Sequence, residues 1–178
     1  MKYVAVFCSA ADLPEKYTTP TEEFAKLIAQ NGYHLVWGGS NTGLMKVVAK
    51  GVREGGGNLV GVSIDLFKHV VHKSADEMII AKDLGERKAT MLVRCDAIVM
   101  LPGGTGTLDE ITDIIERRKN RLHDKPIVIL NIAHFYDGLE QQLYKMRDEG
   151  FLHRPLDELL YFVTTPSEAI EYIAKSLA

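Results

Sequence analysis

Short, nearly unbroken apolar runs alternate along the chain with longer stretches in which apolar positions recur every three or four residues. The runs are Tyr3–Cys8, Tyr33–Trp37, Leu59–Ile64, Met78–Ala81, Ala97–Leu101, Ile127–Asn131 and Leu160–Val163. Strands that are apolar on both faces belong inside a parallel sheet covered on each side. Between them, Phe24, Leu27 and Ile28 fall on one helical face, as do Leu44, Val47 and Val48. The same spacing groups Leu108, Ile111 and Ile115, then Leu139, Leu143 and Met146, and finally Ile170, Ile173 and Leu177. Strand and helix alternate from end to end. The pattern predicts an α/β, Rossmann-like three-layer fold with a mostly parallel, doubly wound sheet, spanning residues 1–178 as a single domain.

Ligands of such sheets bind beyond the carboxyl ends of the strands, which selects the loops to examine. The loop after Leu101 reads Pro102-Gly103-Gly104-Thr105-Gly106-Thr107, three glycines in four residues opening into a helix that is expected to begin near Thr107. Glycines let backbone amides approach a ligand, and the helix adds unpaired N–H groups and the positive end of its dipole. A phosphate site is the expectation. Thr107-Leu108-Asp109-Glu110 also matches a capping box, which accounts for Thr107 and Glu110 but not for the glycines. A second loop, Gly38–Gly43, precedes Leu44-Met45 and is read in the same way. Neither loop is a Walker motif, and the first strand is not followed by Gly-x-Gly-x-x-Gly. One phosphate on a mononucleotide fits better than the pyrophosphate of a dinucleotide.

Glu110 in the first turn of that helix would repel a phosphate and more naturally faces a sugar, where a carboxylate can stabilise an oxocarbenium ion or orient water. Arg87 and Lys88 lie on a helix leading into the Ala97 strand; Arg offers planar, bidentate recognition of phosphate or carboxylate. The run Arg117-Arg118-Lys119-Asn120-Arg121 reads as a solvated helix end. His69 and His72 have metal-ligand spacing but no evident third ligand, so no metal site is expected.

The 178 residues are 46% hydrophobic with a formal net charge of −3 and two cysteines, which excludes disorder and a disulfide scaffold and argues against a general nucleic-acid binder, while a local basic patch could still bind phosphate. No apolar run reaches the roughly 20 residues a membrane span needs, and the amino terminus lacks the features of a signal peptide. A soluble cytoplasmic protein is expected.

Taken together, these residues resemble the Lonely Guy family of cytokinin-activating phosphoribohydrolases. Its PGGxGTxxE motif stands here, ungapped, as Pro102 to Glu110. Further matches are Val6-Phe7-Cys8, Leu35-Val36-Trp37-Gly38-Gly39 with Gly43-Leu44-Met45, Arg87-Lys88 with Met91, Asp96-Ala97 and His123-Asp124-Lys125-Pro126. The resemblance covers nearly the whole chain. It implies a homodimer that hydrolyses the N-glycosidic bond of a nucleoside 5′-monophosphate, AMP or an N6-modified AMP, to free base and ribose 5-phosphate. It also implies Arg87 and Glu110 as the catalytic pair. The phosphate falls to Gly103, Gly104, Thr105, Gly106 and Thr107, with Gly39, Ser40, Met45 and Lys88 lining the pocket. No metal or organic cofactor is expected. Members are often labelled lysine decarboxylases, but a pyridoxal enzyme needs a Schiff-base lysine and this sequence nominates none. Departures from the family pattern, Ser9-Ala10-Ala11, Lys46, Gly85, the region of His69 and Arg117-Arg118-Lys119, lie around the base rather than the phosphate. A non-catalytic nucleotide carrier on the same scaffold is the alternative.

Overall fold

The computed structural model describes residues 1–178. Seven strands form one sheet: β1 (Lys2–Phe7), β2 (Tyr33–Trp37), β3 (Leu59–Ile64), β4 (Glu77–Ala81), β5 (Ala97–Met100), β6 (Ile127–Leu130) and β7 (Tyr161–Val163). Their order is β4-β3-β2-β1-β5-β6-β7, and every pairing is parallel. The expected strands are all present, with ends shifted by at most a residue. The sheet is wholly rather than mostly parallel.

The helices are α1 (Glu15–Gln30), α2 (Gly43–Glu54), α3 (Leu84–Arg94), α4 (Thr105–Lys119), α5 (Asp137–Asp148), α6 (Leu156–Leu159) and α7 (Pro166–Ser176). A 3₁₀ segment, Asp65–Val70, and the short α6 were not anticipated, because neither is long enough to show a period.

Alternation along each strand divides the core in two. Val4, Val6, Leu35, Trp37, Val99 and Leu101 point to one side, where Phe24 and Ile28 of α1, Leu44 and Val48 of α2, and Ile170 and Ile173 of α7 cover them. Ala5, Phe7, Val36, Ile98 and Met100 point to the other, beneath Met91 of α3, Ile111 and Ile114 of α4 and Leu143 of α5. This is the physical reason the strands read as continuous apolar runs: both faces are buried.

Chain direction reverses at β1. From β1 the path goes outward through β2 and β3 to the β4 edge, then α3 carries it back across the sheet to β5 on the other side of β1. The loops leaving β1 and β5 therefore part company, and a crevice opens between them at the carboxyl edge. Ser9 N donates to Pro102 O (3.1 Å), tying the two loops together at its floor.

Phe24 is fully buried in the first core layer, so Phe24→Ala is expected to cost about 3–5 kcal/mol, read as a lower urea midpoint with an unchanged slope.

Candidate active site

Two helix starts meet at this crevice. Asp83 caps α3 by accepting from Glu86 N (2.8 Å), and Glu86 reaches back to Lys82 N (2.6 Å). That fixed start places Arg87 one turn in, facing the sheet. Its Nε donates to the Val62 carbonyl of β3 (2.9 Å), and its Nη1 is ion-paired with Glu110 Oε1 on α4. Both side chains are almost enclosed, at 8% and 7% exposure.

Space for the pair depends on Gly38 at the end of β2. A Cβ there would collide with Arg87 Nη2 and press within 2.9 Å of the Met45 thioether. Here the glycine serves a neighbouring guanidinium, not a turn.

α4 begins at Thr105, not near Thr107, with Gly104 as a cap that supplies no side chain. The first intrahelical bond runs from Leu108 N to Gly104 O (3.1 Å), leaving the amides of Thr105, Gly106 and Thr107 without backbone acceptors. The expected capping box does not form: Thr107 is inside the helix and the Glu110 carboxylate is committed to Arg87. Of the amides that such a box would serve, that of Thr107 stays free. The three open amides at this helix start could receive an anion, with a dipole contribution of about 0.3–1 kcal/mol when exposed. A Cβ on Gly103 would run into the Thr107 side chain, which fixes how closely the loop folds onto its helix. The loop is held from below by Tyr136, whose hydroxyl donates to Leu101 O (2.8 Å); burial pushes the phenol well above its usual pKa and keeps it a donor.

The Gly38–Gly43 loop is built differently. Gly43, at φ +55°, packs directly on the Ala10–Ala11 backbone, and Met45 N is already bonded to Ser9 O (3.2 Å). Ser40 Oγ pairs with Thr42 Oγ1 (2.9 Å), and Gly39 O accepts from His72 N (2.8 Å). This loop forms a wall, whereas the α4 start offers open donors.

Both starts and this wall enclose a cavity of about 480 Å³. Arg87, Lys88, Glu110, Gly104, Gly106, Thr107, Ser40 and Met45 line it; Gly39, Gly103 and Thr105 do not. Lys88, largely buried, is held by both oxygens of Asp109 (3.0 Å each) at the rim. Further contributors escaped the sequence reading. Ser63, 1% exposed at the end of β3, turns a hydroxyl without a protein partner to the cavity. Phe67 and Leu84 give it an apolar lip. Only the strand order brings these residues alongside Glu110, although the position of Ser63 at a strand's carboxyl end was a usable signal.

Burial raises the Glu110 carboxyl above its usual pKa, and the Arg87 charge and hydrogen bond pull it part of the way back. Cys8, at the cavity floor, is raised far more by burial and the nearby Glu110 charge, so it is an inert thiol. His69 and His72 acquire no third ligand, since no group of three or more His, Cys, Asp or Glu side chains is placed to hold a metal ion. The basic run is not uniformly solvated: Arg117 pairs with Asp113 (2.8 Å), Lys119 with Glu116 (2.6 Å), and Arg118 is turned inward onto carbonyls.

Residues 45–173 match the family described as possible lysine decarboxylase. A cytokinin riboside 5′-monophosphate phosphoribohydrolase of Mycobacterium marinum is 35% identical over 96% of this chain and 92% of its own length. One of Arabidopsis thaliana is 34% identical over 93% and 73%. In structure, the molybdenum cofactor binding protein of Rippkaea orientalis superposes with a TM-score of 0.78 at 20% identity, covering 99% of this chain and 98% of that one. The molybdenum cofactor carrier protein of Chlamydomonas reinhardtii gives 0.75 at 22%, over 99% and 98%. These structural likenesses establish a shared fold.

Replacing Arg87 by Met removes the attraction and leaves the burial, so the Glu110 pKa is expected to rise further, as a carbon NMR titration of its carboxyl would record. Because the folded value lies above the unfolded one, the Glu110 contribution to stability falls as pH rises through that window and recovers as pH drops back through it. An unmoved Glu110 titration in the variant would mean the pair does not govern this acid.

Proposed function

Because the chain belongs to the Lonely Guy family of phosphoribohydrolases, whose family description is possible lysine decarboxylase, we propose that residues 1–178 act as one nucleotide-binding domain that hydrolyses the N-glycosidic bond of a nucleoside 5′-monophosphate. AMP or an N6-modified AMP is the substrate, and free base and ribose 5-phosphate are the products. The observation that carries this reading is the buried Arg87–Glu110 pair set beside the unpaired amides of α4. A phosphate on those amides, reached over Gly104, Gly106 and Thr107, directs the sugar back across the first turn of the helix toward Glu110. Lys88, paired with Asp109, stands at the rim within reach of the phosphate.

In the reaction, remote phosphate binding orients the ribose, so part of the barrier is met by positioning. The Glu110 carboxylate stabilises positive charge developing at C1′ and accepts a proton from the water that attacks there. The C1′–N bond breaks with its electrons going to the base, which then takes up a proton. Arg87 favours the ionised form of Glu110 and aims it, and balances charge as the base leaves. Ser40 and Met45 border the sugar and base, while the Gly39 and Gly103 backbones and the Thr105 amide shape the two loops. The chemistry calls on no metal or organic cofactor. Phe67 and Leu84 suit the flat face of a purine, and the cavity volume admits a mononucleotide.

Family membership implies a homodimer, and Val93, 77% exposed on the outward face of α3, is the apolar side chain we place in its interface. Light scattering is expected to give twice the chain mass, and Val93→Glu to give a single chain. No helix is long and apolar enough to cross a membrane, and two free buried thiols suit a cytoplasmic setting.

Glu110→Gln is expected to slow release of free base from AMP by about 10²–10⁴-fold, followed by chromatography, while AMP still raises the melting temperature. Turnover at the parent rate would remove Glu110 from the mechanism. Nucleotide binding by the parent chain with no base released from any monophosphate would favour a carrier instead.

A further inference from the structure

A second cavity, of about 470 Å³, lies at the far end of α4 from Glu110, beside the start of β6. It is walled entirely by polar side chains: Arg118, Arg121, His123, Asp124 and Arg154. Three guanidiniums, which stay protonated in proteins, thus face one lining carboxylate. The other nearby acid, Glu158, is already taken by Arg154, whose Nε and Nη2 donate to it at 3.2 and 3.0 Å.

The three arginines are not equally occupied. Arg154 Nη1 also donates to Arg118 O (2.9 Å), so its donors are used in holding the wall. Arg118 braces the carbonyls of Glu158 (2.8 Å), Asp124 (3.2 Å) and Lys125 through Nε and Nη1, which leaves Nη2 without a partner. Arg121 makes no side-chain hydrogen bond or ion pair, and its whole guanidinium is available. Burial holds Arg118 below the usual guanidinium value, with Arg154 adding to that effect, so an anion beside the free Nη2 would favour its charged form. His123 donates Nε2–H to Ile114 O (3.0 Å), and its buried Nδ1 is left bare.

Arg121 also occupies a position that chain geometry does not favour for it. α4 ends in a Schellman arrangement, with Leu122 N on Arg117 O (2.9 Å) and Arg121 N on Arg118 O (3.0 Å). This puts Arg121 at φ +61°, the left-handed position where glycine is the usual residue. A solvated loop gains nothing from an arginine there; a cavity that receives an anion does.

We propose that this cavity is a second anion site, which takes the phosphate group of a small phosphorylated molecule between the Arg121 guanidinium and the free Nη2 of Arg118. It is independent of the glycosidic chemistry, and its donors are fork-shaped side chains suited to bidentate phosphate contact rather than backbone amides.

The full chain, titrated with inorganic phosphate and separately with AMP, would be followed by NMR at the Arg121–Asp124 amides and the His123 ring. Saturable shifts there are expected in the parent. Arg121→Gly is expected to weaken them at least tenfold while raising the melting temperature, because the glycine relaxes the left-handed residue. Equal affinities for the two probes would identify the ion itself as the ligand, and tighter AMP binding would identify a nucleotide phosphate. Unmoved signals in the parent, or parent-like binding by Arg121→Gly, would overturn the proposal. So would a single-stranded RNA oligomer that bound across Arg117 and Lys119 with steep salt dependence where neither small probe bound.

Discussion

Burying an arginine and a glutamate together is expensive, and the Arg87–Glu110 pair persists because each charge is met by the other. Desolvation costs several kcal/mol per ion, and removing one member of such a pair typically costs about 3–5 kcal/mol. Arg87 meets that demand with the Glu110 carboxylate on one side and the Val62 carbonyl on the other. Much nearby architecture serves this arrangement. Gly38 leaves the volume that the guanidinium fills, and the Asp83 cap fixes the turn from which it projects. The result is a carboxylate held rigidly at a cavity wall instead of wandering in solvent.

The two charges are 23 residues apart, and sheet topology alone makes them neighbours. α3 starts over the β4 edge and crosses the sheet to reach β5, so its first turn faces the first turn of α4. Both helix starts point at the same crevice. One delivers a cation and the other delivers free amides with an acid one turn further on. An anionic group and an acid-sensitive bond in one ligand can thus be addressed from a single wall. The same helix, at its other end, gathers guanidiniums, so α4 has chemistry at both termini for different electrostatic reasons.

Glycine-rich loops after β2 and β5 look alike in sequence yet do different work. The β5 loop leaves three amides open because Gly104 cannot cap them with a side chain. The β2 loop has its Met45 amide bonded to Ser9 and Gly43 wedged against another loop, so it shapes the cavity without offering the same donors. What separates them is whether another segment has already claimed the amides, a property of packing that no local motif encodes.

Amino-acid order by itself determined the strands and the longer helices, the parallel sheet and the candidacy of Arg87, Lys88, Glu110 and the Gly103–Thr107 loop. Apolar runs and three-to-four spacing are local consequences of burial on both faces, and a loop of glycines before a helix has few other uses. The tertiary structure decided the rest. It started α4 two residues early, broke the expected capping box by giving Glu110 to Arg87, assigned Gly38 to the guanidinium and brought Ser63, Phe67 and Leu84 to the cavity. It also turned Arg118 inward from a run that reads as solvated. These outcomes depend on which residues distant in sequence compete for the same space and the same hydrogen bonds, and that competition exists only once the chain has closed on itself.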